Sequence, residues 1–259
     1  MRNILKAMSI VAVMAAAGSA AAQPASGKPT VVLVHGAFAD SSSWNAVIAR
    51  LERDGFPVIA AANPLRSVAG DAAAVSAVVR SVPGPVVLVG HSYGGPVITE
   101  AANRGSNIKA LVYVAGFMPE TGESSLTLSG KFPGSTLGEA LSPVPLSDGG
   151  RDLYIQPAKF HAQFAADLPA GEARLMAATQ RPVTEAALAE PSGDAAWRRL
   201  PSYVIYGSDD RNIPAAVMAF MAERAHARKT VMLKGASHAL MLSQPDKVAT
   251  LIEEAAGTP

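Results

Sequence analysis

The residues with the clearest capacity for chemistry surround Ser92, where an apolar, β-branched stretch ends in Gly90-His91-Ser92-Tyr93-Gly94 and helix-forming residues follow. A serine between two glycines at the end of a buried strand is typical of a nucleophile elbow, the tight turn that lifts a hydroxyl clear of the sheet. The glycines are needed because side chains two positions to either side of the serine collide with neighbouring backbone. The pattern therefore predicts that Ser92 is a nucleophile.

A serine hydroxyl is a weak nucleophile at neutral pH, so it needs a base within hydrogen-bond reach. Five histidines are available. His91 is next to the serine and is expected to project away from its hydroxyl, His35 closes the first strand, His161 lies in an inserted region, and His226 lies between arginines at a helix end. By elimination, the sequence predicts His238, on a loop after the last apolar run, as the base.

The base in turn needs an acid that orients it. The apolar run at residues 202–206 is followed by a loop that contains Asp209 and Asp210. The chain order of serine, then acid, then histidine is one that serine hydrolases use. Both carboxylates are candidates, and we prefer Asp210; an alternative role for Asp209 is to cap the turn or the helix that begins near Pro214.

Attack of a serine on a carbonyl forms an oxyanion, which two backbone N–H groups usually stabilise. One donor is expected to be the amide of Tyr93, at the positive end of the helix that follows the elbow. The other is expected from the loop after the first strand, and we assign it to Ala37.

The elements that must position these residues follow from the apolar pattern. Short apolar runs without polar alternation predict parallel strands covered on both faces, at residues 30–35, 57–62, 86–90, 108–114, 202–206 and 230–234. Stretches with helical spacing lie between them, at residues 43–53, 71–81, 96–103, 214–225 and 245–254. This alternation predicts an α/β fold with a doubly wound, mostly parallel sheet.

One interval, residues 117–200, contains no convincing buried strand. It begins with Pro- and Gly-rich turns and continues with amphipathic pieces at residues 157–167, 170–179 and 184–189. We interpret it as a helical cap inserted before the last two core strands, over the carboxyl edge of the sheet, where ligands bind in open α/β folds. The alternatives are a separate domain or a disordered linker, and the content of leucine, aromatic residues and alanine argues against disorder.

The chain has 259 residues, 49% of them hydrophobic and 17% charged, which suits one domain with an extensive core. Its first 22 residues have the layout of a secretory signal peptide, with Arg2 and Lys6, an apolar stretch, and small residues up to Ala22. This predicts cleavage after Ala22, a mature domain of residues 23–259, and a secreted or periplasmic protein. The alternative is a membrane anchor, but the apolar stretch is shorter than the roughly 20 residues that span a bilayer.

The chain contains no cysteine, which excludes disulfides, thiolate metal sites and a cysteine nucleophile. Its formal net charge is +1, and its basic residues are scattered, so there is no electrostatic basis for binding nucleic acid. The expected partner is a small neutral or weakly charged molecule, with no membrane anchoring once the signal peptide is removed.

Five segments together resemble the α/β-hydrolase superfamily, and specifically its branch of small esterases that includes plant methylesterases and hydroxynitrile lyases. They are VVLVHGAFADSSSW, VVLVGHSYGG, LVYVAGFMPE, YVIYGSDDRNIP and GASHALMLSQP. The resemblance covers residues 29–256 and is weakest in the cap. It implies that Asp210 is the acid, in a G-x-x-D-x-x-x-P segment, that His238 is the base, in a G-x-x-H segment, and that Ala37 and Tyr93 supply the oxyanion amides.

The resemblance also indicates which reaction to expect. The lyase members carry threonine where this chain has Gly36, and lysine directly after the catalytic histidine where this chain has Ala239. Without that cation, a leaving cyanide lacks its electrostatic partner. We therefore expect hydrolysis of small carboxylic esters through an acyl-enzyme, with neither a metal nor an organic cofactor.

Apolar residues of the oxyanion loop and the cap are candidates for the substrate pocket, although each also suits ordinary packing. They are Phe38, Phe117, Met118, Phe160, Phe164 and Trp197. Other functions are compatible with the same residues: perhydrolase or hydroxynitrile lyase activity on the same side chains, or non-catalytic binding of a small molecule.

Overall fold

The computed structural model describes residues 27–257, so the predicted signal peptide at residues 1–22 lies outside the described residues. The strands are β1 (Thr30–Val34), β2 (Val58–Ala61), β3 (Val86–His91), β4 (Ile108–Val114), β5 (Leu141–Pro145), β6 (Arg151–Ile155), β7 (Val183–Thr184), β8 (Ser202–Gly207) and β9 (Lys229–Leu233). The helices are α1 (Asn45–Arg53), α2 (Val68–Ser81), α3 (Gly94–Ala102), α4 (Ser125–Ser129), α5 (Leu137–Ala140), α6 (Pro157–Phe164), α7 (Ala170–Thr179), α8 (Glu185–Ala189), α9 (Ala215–Arg224), α10 (Leu240–Ser243) and α11 (Pro245–Gly257).

The central sheet is parallel, with the strand order β2-β1-β3-β4-β8-β9. This confirms the predicted α/β fold, and each of the six predicted strands is present. β3 and β8 are buried at every residue, as the unbroken apolar runs predict. The expectation of two covered faces is wrong for β9, where Met232 is 54% exposed. β9 is the last strand of the sheet, so the helices that cover its neighbours reach it only in part.

Apolar side chains from alternate positions of the strands form a core on each face of the sheet. On one face, Val32 and Leu88 belong to the core shared with α2, α3 and α9. On the other face, Leu33 and Val89 belong to the core shared with α1 and α11. Within the described residues, no helix has the length and apolar character needed to cross a membrane.

The start of α2 shows how a local contact moves a predicted boundary. The helical spacing predicts a start at Asp71, but the helix begins at Val68. Its N-cap is Ser67, whose Oγ accepts a hydrogen bond from the backbone N–H of Gly70 at 3.1 Å.

The region between β4 and β8 contains α6, α7 and α8 where the three amphipathic pieces predict helices. It also contains an antiparallel sheet of β5, β6 and β7. The prediction of a helical cap is therefore incomplete. Pro143 and Pro145 mask the pattern of β5, because proline donates no backbone hydrogen bond and is tolerated mainly in edge strands such as this one. The Asp148-Gly149-Gly150 turn between β5 and β6 was the available signal for a hairpin.

Candidate active site

Ser92 lies in the sharp turn between β3 and α3. Its backbone has a φ of 53°, in the left-handed region that a residue with a side chain rarely adopts. A Cβ on Gly90 would lie 2.5 Å from the carbonyl oxygen of Gly94, and one on Gly94 would lie 2.6 Å from that of Val34. Both contacts are too short for a side chain, so the two glycines are needed for the reason that the sequence predicts.

Asp210 and His238 form a buried pair at the carboxyl ends of β8 and β9. The Oδ2 of Asp210 lies 2.7 Å from the Nδ1 of His238, and both side chains are fully buried. The Oδ1 of Asp210 accepts the backbone N–H groups of Asn212 and Ile213 at 2.8 and 3.0 Å. Because a carboxylate can only accept, the proton of the imidazole lies on Nδ1 and Nε2 is left as an acceptor.

Of the two neighbouring carboxylates, the structure brings Asp210 and not Asp209 to the histidine. Asp209 is exposed, and its Oδ1 accepts a hydrogen bond from Ser208 Oγ at 2.6 Å. The preference for Asp210 therefore agrees with the geometry.

The base is held next to the elbow by His91. The imidazole rings of His91 and His238 lie 4.7 Å apart, and His91 Nε2 lies 3.1 Å from the backbone carbonyl oxygen of His238. Burial is the main cause that holds the pKa of His91 well below its usual value, so this imidazole is neutral and donates from Nε2. Within the described residues, the Nε2 of His238 is buried and has no hydrogen-bond partner. In particular, it makes no hydrogen bond with Ser92 Oγ.

The backbone N–H groups that are predicted to bind the oxyanion are those of Ala37 and Tyr93. Among residues 27–257, neither the N–H of Ala37 nor that of Tyr93 has a hydrogen-bond acceptor. The side chain of Tyr93 is held by a hydrogen bond, since its hydroxyl donates to Oδ2 of the buried Asp71 at 2.9 Å. Sequence reasoning missed Asp71, because a single acidic residue in the first turn of a helix is ordinary.

Three of the predicted pocket residues form an aromatic group beside the base. The ring of Phe164 lies 5.0 Å from that of His238, 5.1 Å from that of Phe160 and 6.4 Å from that of Phe38. All three phenylalanines are buried. The cap therefore presents an apolar aromatic surface to the imidazole from α6.

Helix α6 and the segment that follows it are hydrogen-bonded to the two loops that carry the acid and the base. Gln163 Nε2 donates to the carbonyl oxygen of Arg211 at 2.9 Å and to Oδ1 of Asn212 at 2.8 Å. Ser237, the residue before the base, donates from Oγ to the carboxylate of Asp167. No motif marks Gln163 or Asp167 in the sequence, so only the folded chain shows these contacts.

Phe117 and Met118 follow the carboxyl end of β4. The backbone N–H of Phe117 donates to the carbonyl oxygen of Ser92 at 3.2 Å, which places this residue beside the elbow. Met118 is fully buried, and its backbone N–H lies 3.2 Å from the Sδ of Met221 on α9. Their contact with a substrate stays a prediction.

Trp197, the last of the predicted pocket residues, packs against the segment after β4 and against two arginines. Its Nε1 donates to the carbonyl oxygen of Pro119 at 2.9 Å, and its ring lies 5.2 and 5.6 Å from the guanidinium groups of Arg198 and Arg224. Pro119 lies two residues after Phe117, and contact of Trp197 with a substrate stays a prediction. Apolar character alone could not show these contacts.

A cavity of about 420 Å³ adjoins the oxyanion loop at Phe38 and Ala39. Helix α7 forms its opposite wall, and Leu242 borders it from the segment after the base. Its other lining residues are Asp40, Ser42, Ser43, Asn45, Ala46, Glu172, Leu175, Met176, Thr179 and Gln180.

Comparison with curated proteins identifies relatives along most of the chain. A pyrethroid hydrolase from Sphingobium wenxiniae is 28% identical over 255 residues, covering 88% of this chain and 88% of the relative. Putative methylesterase 11, chloroplastic, from Arabidopsis thaliana is 26% identical over 246 residues, covering 87% and 63%. An alpha-hydroxynitrile lyase from the same plant is 25% identical over 172 residues, covering 63% and 67%. The resemblance drawn from the motifs is thereby confirmed.

The comparisons of structure and of family agree with this result. The crystal structure of polyneuridine aldehyde esterase superimposes with a TM-score of 0.75 at 22% identity, covering 88% of this chain and 98% of that one, which shows a common fold. The model of the alpha/beta hydrolase family matches residues 31–251. Because the match covers most of the chain and the elbow lies within it, the protein belongs to the alpha/beta hydrolase family.

Proposed function

We propose that the protein is a serine carboxylesterase that cleaves small esters through an acyl-enzyme, with Ser92, His238 and Asp210 as its catalytic residues. The observation that carries the proposal is the buried Asp210–His238 hydrogen bond of 2.7 Å. It fixes the proton on Nδ1 and leaves the other nitrogen of the base without a partner, next to an elbow that carries a serine. A buried, unpartnered nitrogen costs stability, and a catalytic role is one explanation for its retention.

In this mechanism, Ser92 Oγ attacks the ester carbonyl while its proton passes to Nε2 of His238. The N–H groups of Ala37 and Tyr93 bind the oxyanion of the tetrahedral intermediate. The imidazolium, stabilised by Asp210, then protonates the leaving alcohol and the acyl-enzyme forms. A water molecule, deprotonated by His238, attacks the acyl carbonyl, and the imidazolium then returns this proton to Oγ of Ser92 as the acid leaves.

Two residues favour hydrolysis over cyanohydrin cleavage. Ala239, directly after the base, is fully buried and carries no charge, so it offers nothing to stabilise a leaving cyanide. Gly36 is in close contact with the elbow, because a Cβ there would lie 2.7 Å from the Cβ of Ser92. A threonine at this position, as in the lyases, requires the backbone to shift.

The surroundings of the site favour an ester with an apolar group. Phe164 and Phe160 cover the base with apolar surface, and the cavity beside the oxyanion loop includes Leu175, Met176 and Leu242. Two of the relatives are named as a methylesterase and a pyrethroid hydrolase, which supports small carboxylic esters as the substrate class.

The test combines turnover and labelling. The purified protein is assayed with p-nitrophenyl esters of increasing acyl length and with one acyl group on alcohols of increasing size, beside mandelonitrile, and is labelled with a fluorophosphonate probe. Ser92→Ala is expected to abolish both hydrolysis and labelling, whereas Ser147→Ala, at an exposed serine in the turn between β5 and β6, is expected to leave both unchanged.

Three results contradict the proposal. Retention of more than a few per cent of ester turnover by Ser92→Ala refutes the nucleophile. Labelling without turnover of any ester favours a small-molecule binding protein of this fold. Release of cyanide from mandelonitrile at a higher kcat/KM than ester hydrolysis favours a lyase.

A further inference from the structure

His35, at the end of β1, makes two hydrogen bonds that fix where its proton lies. It is fully buried, and its Nε2 lies 3.0 Å from the backbone nitrogen of Asn63. A backbone N–H can only donate, so Nε2 carries no proton and the neutral imidazole is protonated on Nδ1. Nδ1 lies 2.9 Å from the carbonyl oxygen of Gly36 and therefore donates to it. Burial, which lowers the pKa of His35, favours the same neutral form.

The bond to Gly36 sets the direction of the next amide. In a trans peptide, the carbonyl oxygen and the N–H of the following residue point to opposite sides. Because His35 holds the oxygen of Gly36 on one side, the N–H of Ala37 points to the other. Gly36 itself lies against the elbow, since a Cβ there would be 2.7 Å from both the Cβ of Ser92 and the carbonyl oxygen of His91.

The peptides on both sides of this one are held by hydrogen bonds from or to other groups. Asn63 Nδ2 donates to the carbonyl oxygen of His35 at 2.9 Å, and the N–H of Phe38 donates to the carbonyl oxygen of Arg181 in the cap at 2.9 Å. The N–H of Ala37 has no acceptor among the described residues. The imidazole of His35 is thus the group that orients the Gly36–Ala37 peptide, and a glycine on one side of that peptide gives little resistance to a flip.

We propose that His35 is a positioning residue for the oxyanion hole: its Nδ1–H holds the Gly36–Ala37 peptide with the N–H of Ala37 turned toward the carbonyl that Ser92 attacks. Without this bond the peptide flips, and the carbonyl oxygen of Gly36 then faces the developing oxyanion and repels it. The inference rests on the proposed function, because it concerns the same oxyanion.

Two substitutions separate the two hydrogen bonds of His35. In His35→Asn, the amide nitrogen takes the place of Nδ1 and can still donate to Gly36, but the acceptor for Asn63 is lost. In His35→Gln, the amide oxygen takes the place of Nε2 and still accepts from Asn63, but the donor to Gly36 is lost. Each variant thus removes one hydrogen bond and leaves one buried backbone group unpaired, so the two variants serve as controls for each other.

The expected result is a loss specific to the transition state. His35→Gln should lower kcat on the best ester by about 100-fold, which is the range for removing one oxyanion donor, with KM changed by less than about threefold. His35→Asn should lower kcat by less than about tenfold. Affinity for a trifluoromethyl ketone, which forms an oxyanion when Ser92 adds to it, should fall in parallel with kcat/KM, while affinity for the matching unreactive alcohol should not.

Two outcomes overturn the inference: a kcat of His35→Gln within threefold of the wild type, or equal losses in the two variants, which would indicate a purely structural role. ¹⁵N NMR of the wild type tests the same point should a variant not fold. The imidazole of His35 must be protonated on Nδ1 and unprotonated on Nε2 at pH 7.5, and the opposite tautomer refutes the proposal. These outcomes can be told apart from a failure of the proposed function, because in that case Ser92→Ala would keep its ester turnover.

Discussion

His91 Nε2 donates a hydrogen bond to the backbone carbonyl of His238 at 3.1 Å, so the residue before the proposed nucleophile holds the residue that we propose as the base. The contact joins the end of β3 to the loop after β9, two strands that are not neighbours in the sheet. Elimination from the sequence set His91 aside as the base and gave this residue no role. The geometry makes it the link between two of the three proposed catalytic residues.

Removal of this link is expected to slow catalysis more than it weakens substrate binding. In His91→Ala, the loop of His238 loses its hydrogen bond, and a displacement of about 1 Å in a catalytic group costs about 100-fold in rate. His91→Gln keeps a donor at the position of Nε2 and should recover most of kcat. Steady-state kinetics on one ester, with thermal unfolding as a control for folding, checks this. Equal kcat values for the two variants would contradict the positioning role.

The buried carboxylate of Asp210 is expected to matter far more than its neighbour. Asp210→Asn removes the charge that stabilises the imidazolium and places an amide donor against Nδ1–H, which favours the wrong tautomer. We expect kcat to fall by about 10³- to 10⁴-fold. Asp209→Asn, at the exposed neighbouring position, serves as the control and should stay within about threefold of the wild type. A comparable loss in both variants would reject the assignment of the acid.

Stability should decline in mild acid because of His91 and His35. Burial lowers the pKa of both in the folded protein, from the ordinary value of 6.5, so the unfolded chain binds more protons as the pH falls below that value. The free energy of unfolding should therefore fall below pH 6.5, by up to about 1.4 kcal/mol per pH unit for each histidine, until the pKa of the folded state is reached.

Urea unfolding at pH 7.5, 6.5 and 5.5 measures this slope. His91→Gln has no group that titrates at this position. Its free energy of unfolding should therefore fall less steeply between pH 6.5 and 5.5 than that of the wild type, and the remaining fall should include the contribution of His35. Carboxylates contribute equally to both proteins and cancel in the comparison. Parallel curves would show that His91 does not carry the effect.

The cavity beside the oxyanion loop is expected to accept the larger group of the ester. Met176→Trp fills part of this space of about 420 Å³ from α7. It should lower kcat/KM for esters with a bulky apolar group by at least about tenfold and leave acetate esters nearly unchanged. Met232→Trp, at a half-exposed position on β9, is the matched control. A uniform effect of Met176→Trp on all esters would place the substrate elsewhere.

Much of the fold was predictable because its signals are local. The apolar runs predict each strand of the parallel sheet, since a strand buried on both faces needs no polar alternation. Ser92 was predictable for the same reason. The steric conflict that requires a glycine two positions before and after it arises within five consecutive residues. The hairpin of β5 and β6 was missed because Pro143 and Pro145 disguise an edge strand.

The placement of Trp197 and the contacts of His35 and His91 had no local signal. A tryptophan is equally apolar whatever it packs against, and a histidine can be base, donor or core residue in the same sequence context. The polar contacts of Gln163 in α6 and of Asp167 after it, with the acid and base loops, join residues separated by 49 and 70 positions. Contacts at such separations depend on the packing of whole elements and cannot be read from spacing.

By itself, the sequence determined the parallel α/β sheet, the elbow at Ser92 and the chain order of serine, acid and histidine, because short-range sterics and burial dictate them. Only the tertiary structure decided which carboxylate meets His238, which nitrogen of each buried imidazole carries the proton, and which aromatic residues reach the base. These are decided by which groups face one another once the chain is folded, since the proton on an imidazole and the orientation of a peptide follow from the partners that surround them.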